Sequence, residues 1–509
     1  MEGRLHRIPV IAGTEFREPV DGGEGWLHAS MRSLVAIEAR CSVRPRGGKA
    51  PSRATLPLAT SLLVFTRPIE LHVEALALLA SRESDFAIAF LDGNDSTPRS
   101  RFSFLGVRPV ERRTLRGEDD GGAYFEGLGA GSPQEEVEII PGLTSARVPR
   151  WMGAISYDLA WSQMRSLGLR HGPHRARDKE RVHAHFDRFE ALLVSDRLRQ
   201  QVVLVGDSEE ALDRLWKDIE SMRRGPQSSV LIGPVEAESR ALHGEAIAIA
   251  LKRIADGDLY QINLARRWRA NYEGSPHPAR ALARAMRKAS PVPFGALIEL
   301  PDGSALVART METFLDWDRT SRVLTTRPIK GTIGRSGEET GEVALRADTK
   351  ERAEHAMIVD LMRNDLGRLA ETGSVAVEGA FTVEPYARLS HLVSTVRCKT
   401  LPEVTLRTLL EGTFPPGSVT GTPKLAAMEN IEALERFPRG FYTGCVGYVD
   451  QAGGASFAVA IRTAQLSQGV LDYFAGGGIV DASDVTREVD ETALKALVFT
   501  ESCRALAGG

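Results

Sequence analysis

Val323-Leu324-Thr325-Thr326-Arg327-Pro328-Ile329-Lys330-Gly331-Thr332 is the stretch around which the chain is organised. Its β-branched and apolar opening reads as a strand, and Pro328 and Gly331 are expected to end that strand in a tight turn with Lys330 at its tip. No acidic residue adjoins Lys330 in the sequence. On an open surface it is a solvated cation. In a closed site, desolvation lowers the amine's pKa and turns it into a nucleophile.

Working outward, Asp348-Thr349 with Glu351 forms a capping pattern for a helix that runs to about Gly367. Glu354, Ile358 and Leu361 share one face of it, so a carboxylate is expected on the apolar side. Such a carboxylate needs a cation, a set of hydrogen bonds or a raised pKa, and an arginine salt bridge would meet the need as well. In the segment Val485 to Phe499, Glu488, Glu491 and Lys495 line one helix face, either as solvated charge pairs or as a group around a hard cation.

Upstream of that segment, Phe474-Ala475-Gly476-Gly477-Gly478-Ile479-Val480 is expected to break a strand and let the backbone approach a ligand with its N–H groups free. Ala458 to Thr463 reads as an apolar strand with Arg462 at its end, suited to a carboxylate or simply to solvent. Gln261 and Asn263 share one face of the alternating strand Leu259 to Arg266. They are binding residues if that face lines a cavity. The loop Phe414 to Lys424 leads into a helix whose start is able to bind an anion, although a capped helix needs no ligand.

The chain has 509 residues, 42% of them hydrophobic, and its 64 basic and 67 acidic residues leave a net charge of -3. The length is enough for a large core, and the absence of a basic stripe argues against nucleic acid. No apolar run is long enough to span a bilayer. Cys41, Cys398, Cys445 and Cys503 are too scattered for a disulfide framework or zinc site, so a reducing, cytoplasmic setting is expected, with Cys445 a buried structural thiol.

Residues 1 to 55 are rich in Arg, Gly and Pro without a period, and read as a disordered or over-long start, with Met31 a possible initiator. Acids such as Glu15, Glu18 and Asp21 argue against a transit peptide. The rest divides at Arg224 to Ser229 into an N-terminal region, 56–223, and a catalytic region, 230–509. In the first, Ile69 to Ala80 reads as a helix, and Phe86 to Leu91, Trp151 to Tyr157, Ala191 to Val194 and Gln201 to Val205 as strands. The run from Arg165 to Arg181 reads as solvated helix or loop, and Gly244 to Ala255 as a helix.

Together, Gly257-Asp258-Leu259-Tyr260-Gln261-Ile262-Asn263-Leu264, Glu354 to Asp365, Ser390 to Thr395, Gly417 to Lys424, Ala460 to Thr463, Ala475 to Val480 and the terminal Glu-x-x-Glu-x-x-x-Lys resemble the chorismate-utilising enzymes. The resemblance is strong over Gly244 to Ala505 and weaker over Pro68 to Val205. It implies an α+β fold like that of anthranilate synthase component I, with antiparallel sheets packed face to face, helices outside and a cleft between.

Within the family, the form PIKGT resembles aminodeoxychorismate synthase component I. The anthranilate branch usually has alanine in place of Lys330, and isochorismate and salicylate enzymes carry a lysine base in place of Gln261. By the same resemblance Glu354 and Glu491 would hold Mg²⁺ on the ring carboxylate of chorismate, with Glu488 beside them. Arg462 and Tyr442 would bind the enolpyruvyl carboxylate, and Gly476, Gly477, Gly478 and Lys495 the ring carboxylate region. Gly331, Thr332 and Gln261 would line the site. Glu312 would act as general acid on the 4-hydroxyl, Lys330 as nucleophile at C2, and His391 would orient that hydroxyl or exchange its proton. The implied activity is conversion of chorismate and ammonia to 4-amino-4-deoxychorismate for para-aminobenzoate and folate, with a separate glutaminase subunit as partner. The alternatives are an anthranilate synthase component I and a catalytically silent chorismate- or tryptophan-binding regulatory subunit. Two departures stand out: Thr310-Met311 replaces the usual Ser-Pro before the acid, and the loop reads GTPK where GAPK is usual.

Overall fold

Alternation of side chains along the strands decides the layering. In Ile88–Asp92, Ile88 and Phe90 join one hydrophobic cluster while Ala89 joins another on the opposite face. The computed structural model describes residues 64–507 except 96, 118, 120, 132–135, 165–180, 335–339 and 386–388. The expectations for residues 1 to 55, Cys41 included, and for the run from Arg165 fall outside the described residues.

The described strands form two large sheets, of thirteen and ten strands, and a small hairpin. The larger runs in space from Phe65–Ile69 at one edge through Ile88–Asp92, Phe294–Glu299, Ala305–Thr310, Thr463–Ser467 and Val470–Ile479 to Gln261–Gly274 and Val230–Ile232 at the other. The second runs from Ile329–Gly334 and Leu389–Lys399 through Thr313–Asp318, Ala455–Val459 and Cys445–Asp450 to Pro149–Ile155, Val182–Arg188 and Glu111–Arg116. Neighbouring described strands in both sheets pair antiparallel, as in Leu297↔Val307 and Val446↔Ala458. Both sheets take strands from either side of the 224–229 linker.

The inner faces meet in a core in which Ala89, Val194 and Ile298 of the larger sheet join Met152, Ala154 and Val446 of the second. Outer faces are covered by helices. Leu212, Leu282 and Phe499 pack on the larger sheet, and Ile358, Leu409 and Met428 belong to the cluster behind the second. The fold is therefore α+β, with antiparallel sheets packed face to face and helices outside.

Two elements differ from the sequence reading. Ile69 ends the edge strand Phe65–Ile69, which accommodates Pro68, and the helix is confined to Ala75–Leu79. The C-terminal helix breaks at Ala496 into Val485–Lys495 and Leu497–Leu506, where Ala496 is wholly buried and Phe499 stacks on Tyr473 with ring centroids 4.3 Å apart. Among the described residues no helix is long and apolar enough to cross a membrane.

Candidate active site

The chain passes from one sheet to the other twice, side by side. Ala305–Thr310 lies in the larger sheet and Thr313–Asp318 in the second, while Ala455–Val459 and Thr463–Ser467 make the reverse passage. Ala308 pairs with Thr463 on one side of the crossing and Thr313 with Ala458 on the other. Glu312 and Arg462 are the crossing residues. Arg462 thus stands between two strands, where a single apolar strand was expected, and adopts a left-handed φ of 49°. Its carbonyl accepts the Arg309 N–H at 3.1 Å.

Glu312 donates its N–H to Thr310 Oγ1 at 3.3 Å, its carbonyl accepts from Val459 N at 3.0 Å, and Met311 is buried with Val292, Ile329 and Ile461. Thr310-Met311 therefore keeps the acid indoors. The side chain is 6% exposed, and burial pushes its carboxyl up to about 7 against a hydrogen bond from Ser418 and the charge of Lys330.

Lys330 is not at a turn. The chain resumes as the strand Ile329–Gly334, which continues to pair with Leu389–Lys399 after Pro328 interrupts the ladder. A register shift between Lys330 and Thr332 falls at Gly331, whose φ of 68° suits glycine. The amine is pushed down by burial and then by Lys495, against the opposing pull of Glu354, Glu312 and Glu491. Acids distant in sequence thus surround a lysine that has none beside it. His391, 3% exposed, lies across the ladder from Thr332, and its Nδ1 is 3.3 Å from the Gly331 carbonyl. Burial, and next the charge of Arg462, lower the imidazole to about 4, so it is neutral at physiological pH.

The three glycines do not break their strand: Gly476, Gly477 and Gly478 remain within Val470–Ile479, opposite Ala265, Leu264 and Asn263. Lys495 Nζ donates to the Gly476 carbonyl at 2.9 Å, so Gly476 presents its backbone groups away from the Gln261 strand. Asn263 N–H goes to the Thr420 carbonyl at 2.8 Å, which gives Gly478 opposite it the same orientation. The strand 463–467 pairs only as far as Tyr473, so this edge is open beside the glycines. Gly476 and Gly478 offer N–H groups there, whereas Gly477 faces the ladder.

The missing side chains make room. A Cβ at 478 would lie 2.8 Å from Lys330 Nζ and 2.9 Å from Gln261 Nε2, and one at 476 would lie 3.0 Å from the Tyr442 hydroxyl. At 477 it would lie 3.0 Å from Glu488 Oε2 and 3.9 Å from Lys495 Nζ. Gln261 is 1% exposed, and its Oε1, like Asn263 Oδ1, has no hydrogen-bond partner among the described residues. Tyr442, 3% exposed, stacks on Phe474. The structure therefore brings Lys330, Gln261, Tyr442, Glu488 and Lys495 to one glycine strand.

Of the remaining carboxylates, Glu354 is partly buried on Thr349–Gly367, one residue before the buried His355. Glu491 holds Lys495 at 2.6 Å, and Glu488 Oε1 accepts the Ser483 hydroxyl at 2.7 Å. Among the described residues no three His, Cys, Asp or Glu side chains are grouped to hold a metal. The Thr332 side chain lies outside the described residues.

Residues 91–501 match the chorismate binding enzyme family. The chain belongs to that family. It is 35% identical to an aminodeoxychorismate synthase of Streptomyces griseus over 70% of the chain and 50% of that protein, and 36% identical to aminodeoxychorismate synthase component 1 of Escherichia coli K12 over 59% and 66%. The matches thus span half to about two thirds of those relatives. It is also 32% identical to anthranilate synthase component 1 of Streptomyces coelicolor, over 89% of the chain and 93% of the relative. The crystal structure of anthranilate synthase component I from Streptococcus pneumoniae superposes with a TM-score of 0.66 at 28% identity, covering 79% of this chain and 92% of that one.

For this chorismate binding enzyme the sequence reading missed Ser418. It lies in the loop before Lys424–Leu434, and its hydroxyl reaches Glu312. Lys424, the first residue of that helix, pairs with the buried Asp365 at 2.7 Å and with the Thr413 carbonyl at 2.9 Å. The Gly-Thr-Pro-Lys motif and the Arg-Asn-Asp motif are thus one structural contact. Cys445 is wholly buried in a strand, which pushes its thiol well up and fits a structural role.

The glycine strand yields a direct prediction. In Gly478→Ala the new methyl meets the far ends of Lys330 and Gln261. The fold is expected to survive, with thermal melting little changed, while turnover of chorismate falls by about 10²-fold through displacement of the amine. Steady-state kinetics and circular dichroism on the same preparation check both halves.

Proposed function

We propose that this chain is the chorismate-binding component of an aminodeoxychorismate synthase. The carrying observation is the Lys330 amine, desolvated and set against the place where a Gly478 side chain would stand, with Glu312 facing it. In this reading the neutral amine of Lys330 attacks C2 of chorismate while Glu312 protonates the departing 4-hydroxyl, which leaves as water as the double bonds shift. Ammonia then adds at C4 and expels the lysine. The overall balance is chorismate plus ammonia to 4-amino-4-deoxychorismate plus water. Arg462, Tyr442 and the open N–H groups of Gly476 and Gly478 are the candidates for binding the substrate's carboxylates, and His391 for orienting the 4-hydroxyl.

Glu354 and Glu491 both act on the Lys330 amine and so reach one region, which fits Mg²⁺, an ion that takes one or two protein carboxylates and its remaining oxygens from substrate and water. Glu488 lies one helical turn before Glu491 on Val485–Lys495. When bound, Mg²⁺ would neutralise and orient the ring carboxylate. Glu354→Gln and Glu491→Gln are each expected to raise the Mg²⁺ concentration for half-maximal turnover at least tenfold or to abolish turnover. A Mg²⁺ titration of chorismate consumption checks this, and unchanged curves in both variants would remove the assignment.

Ammonia is scarce and mostly protonated near neutrality, so its use favours delivery from a glutaminase. The relatives named component 1 support a separate partner. The deciding assay supplies chorismate, Mg²⁺ and ammonium salt, then replaces ammonium by glutamine with and without a glutaminase subunit from the family. A non-fluorescent amino product, formed from glutamine only with the partner, is expected. A fluorescent product of anthranilate mass would favour the second reading, an anthranilate synthase component, to which the full-length similarity with the Streptomyces coelicolor protein lends weight.

A further inference from the structure

Behind the glycine strand lies a fully buried ion pair that contributes no candidate substrate group itself, although its guanidinium lies over the ring of Tyr442. Arg439 and Glu435 are 0% and 2% exposed in their side chains and meet at 2.6 Å. All of Arg439's N–H groups are used. Nε and Nη2 donate to the two Glu435 oxygens at 2.9 and 2.6 Å, Nη1 to the Val419 carbonyl at 3.0 Å and Thr443 Oγ1 at 3.1 Å, and Nη2 also to the Asn263 carbonyl at 2.8 Å. Glu435 Oε1 takes the Ala265 N–H at 3.0 Å as well. The guanidinium lies over the rings of Tyr157 and Tyr442, 4.8 and 5.7 Å from their centroids.

Each partner belongs to a segment that carries part of the site. Val419 follows Ser418, whose hydroxyl meets Glu312. Asn263 and Ala265 back Gly478 and Gly476, and their outward edge has lost its strand neighbour, because Gly421–Thr422 pairs only with Gln261 and Ile262. Thr443 follows Tyr442. Arg439 and Glu435 thus replace a missing strand for backbone groups that would otherwise be buried without partners. A lysine has no planar fork to make these bonds together.

We propose that the Arg439–Glu435 pair is a positioning element of the active site, holding the Ser418 loop against Glu312 while it fixes the strand behind Gly476 to Gly478. It acts through those segments and not on substrate. The groups facing Glu312 itself are Ser418 and Lys330, and Lys330 in turn faces Glu354, Glu491 and Lys495. Ser418 lowers the pKa of Glu312, so loosening the loop moves the titration of that acid upward.

The test compares Arg439→Lys, Ser418→Ala and wild type in two ways. One is chorismate consumption, whatever the product, against pH. The other is an infrared pH titration of the buried carboxyl band that Glu312→Gln removes. For Arg439→Lys, kcat per folded molecule is expected to fall at least about thirtyfold with a smaller change in KM, and the Glu312 midpoint to move to higher pH as in Ser418→Ala. A variant that only melts earlier, with kcat and the midpoint unchanged, would overturn the proposal. If Arg439→Lys does not fold, Thr443→Val removes a single acceptor at nearly constant shape, and a smaller shift in the same direction is expected; no shift would overturn it. The inference rests on the proposed chemistry for its kinetic readout alone. A wild type inert toward chorismate would defeat that chemistry, while the infrared titration would still decide the role of the pair.

Discussion

Lys330→Ala is expected to lower formation of 4-amino-4-deoxychorismate by at least about 10³-fold, the scale on which covalent catalysis is lost when its nucleophile is removed. Chorismate binding should change far less, since the substitution takes away an amine at the site and leaves the glycine strand and Arg462 in place. With alanine at 330 the site matches the anthranilate branch of the family at this position, so a small amount of anthranilate-type product is also expected. In wild type supplied with chorismate and Mg²⁺ but no ammonia, intact-protein mass spectrometry should find a covalent adduct, and peptide mapping should place it on Lys330. Near wild-type rates in the alanine variant would end the nucleophile assignment. An absent adduct with a slow alanine variant would point instead to the amine acting as an acid or base.

Glu312→Gln is expected to slow turnover by about 10² to 10⁴-fold, the usual worth of a positioned general acid, while making the fold more stable in alkali. The carboxyl binds its proton more tightly in the folded chain, at about 7, than the ordinary 4.5 of an unfolded glutamate. Ionisation therefore costs the native state nothing below about pH 4.5, progressively more between there and pH 7, and roughly 3 kcal/mol above that. Glutamine removes that cost, so the variant should melt higher than wild type at pH 8 and about equally near pH 4. In wild type, kcat should decline as pH rises through 7, because the acid loses the proton it must donate. Melting curves and pH–rate profiles of the same two proteins check the linkage, and equal stability at pH 8 would show that Glu312 is better solvated than its burial indicates.

The sequence by itself determined the parts whose physics is local. The capping pattern at Asp348 gave the helix Thr349–Gly367, and the Asp348 side chain accepts the Glu351 N–H at 3.0 Å as its spacing requires. Alternation in Leu259 to Arg266 put Gln261 and Asn263 on one buried face, and the family motifs carried the fold class with its paired antiparallel sheets. Tertiary structure decided what depends on neighbours far along the chain. Pro328 and Gly331 looked like a turn, yet Leu389–Lys399 supplied a ladder on which the strand resumed and placed Lys330 within it. Gly476 to Gly478 looked like a break, yet the Gln261 strand held them in register while the departure of 463–467 left one edge open. Ser418 was legible only as part of the family loop Gly417 to Lys424, with nothing to mark it out there, and the Arg439–Glu435 pair carried no local signal at all. Their roles arise because backbone groups left without a strand partner must find donors and acceptors in the buried interior, and which side chain supplies them is fixed only when the two sheets and the 417–424 loop close together.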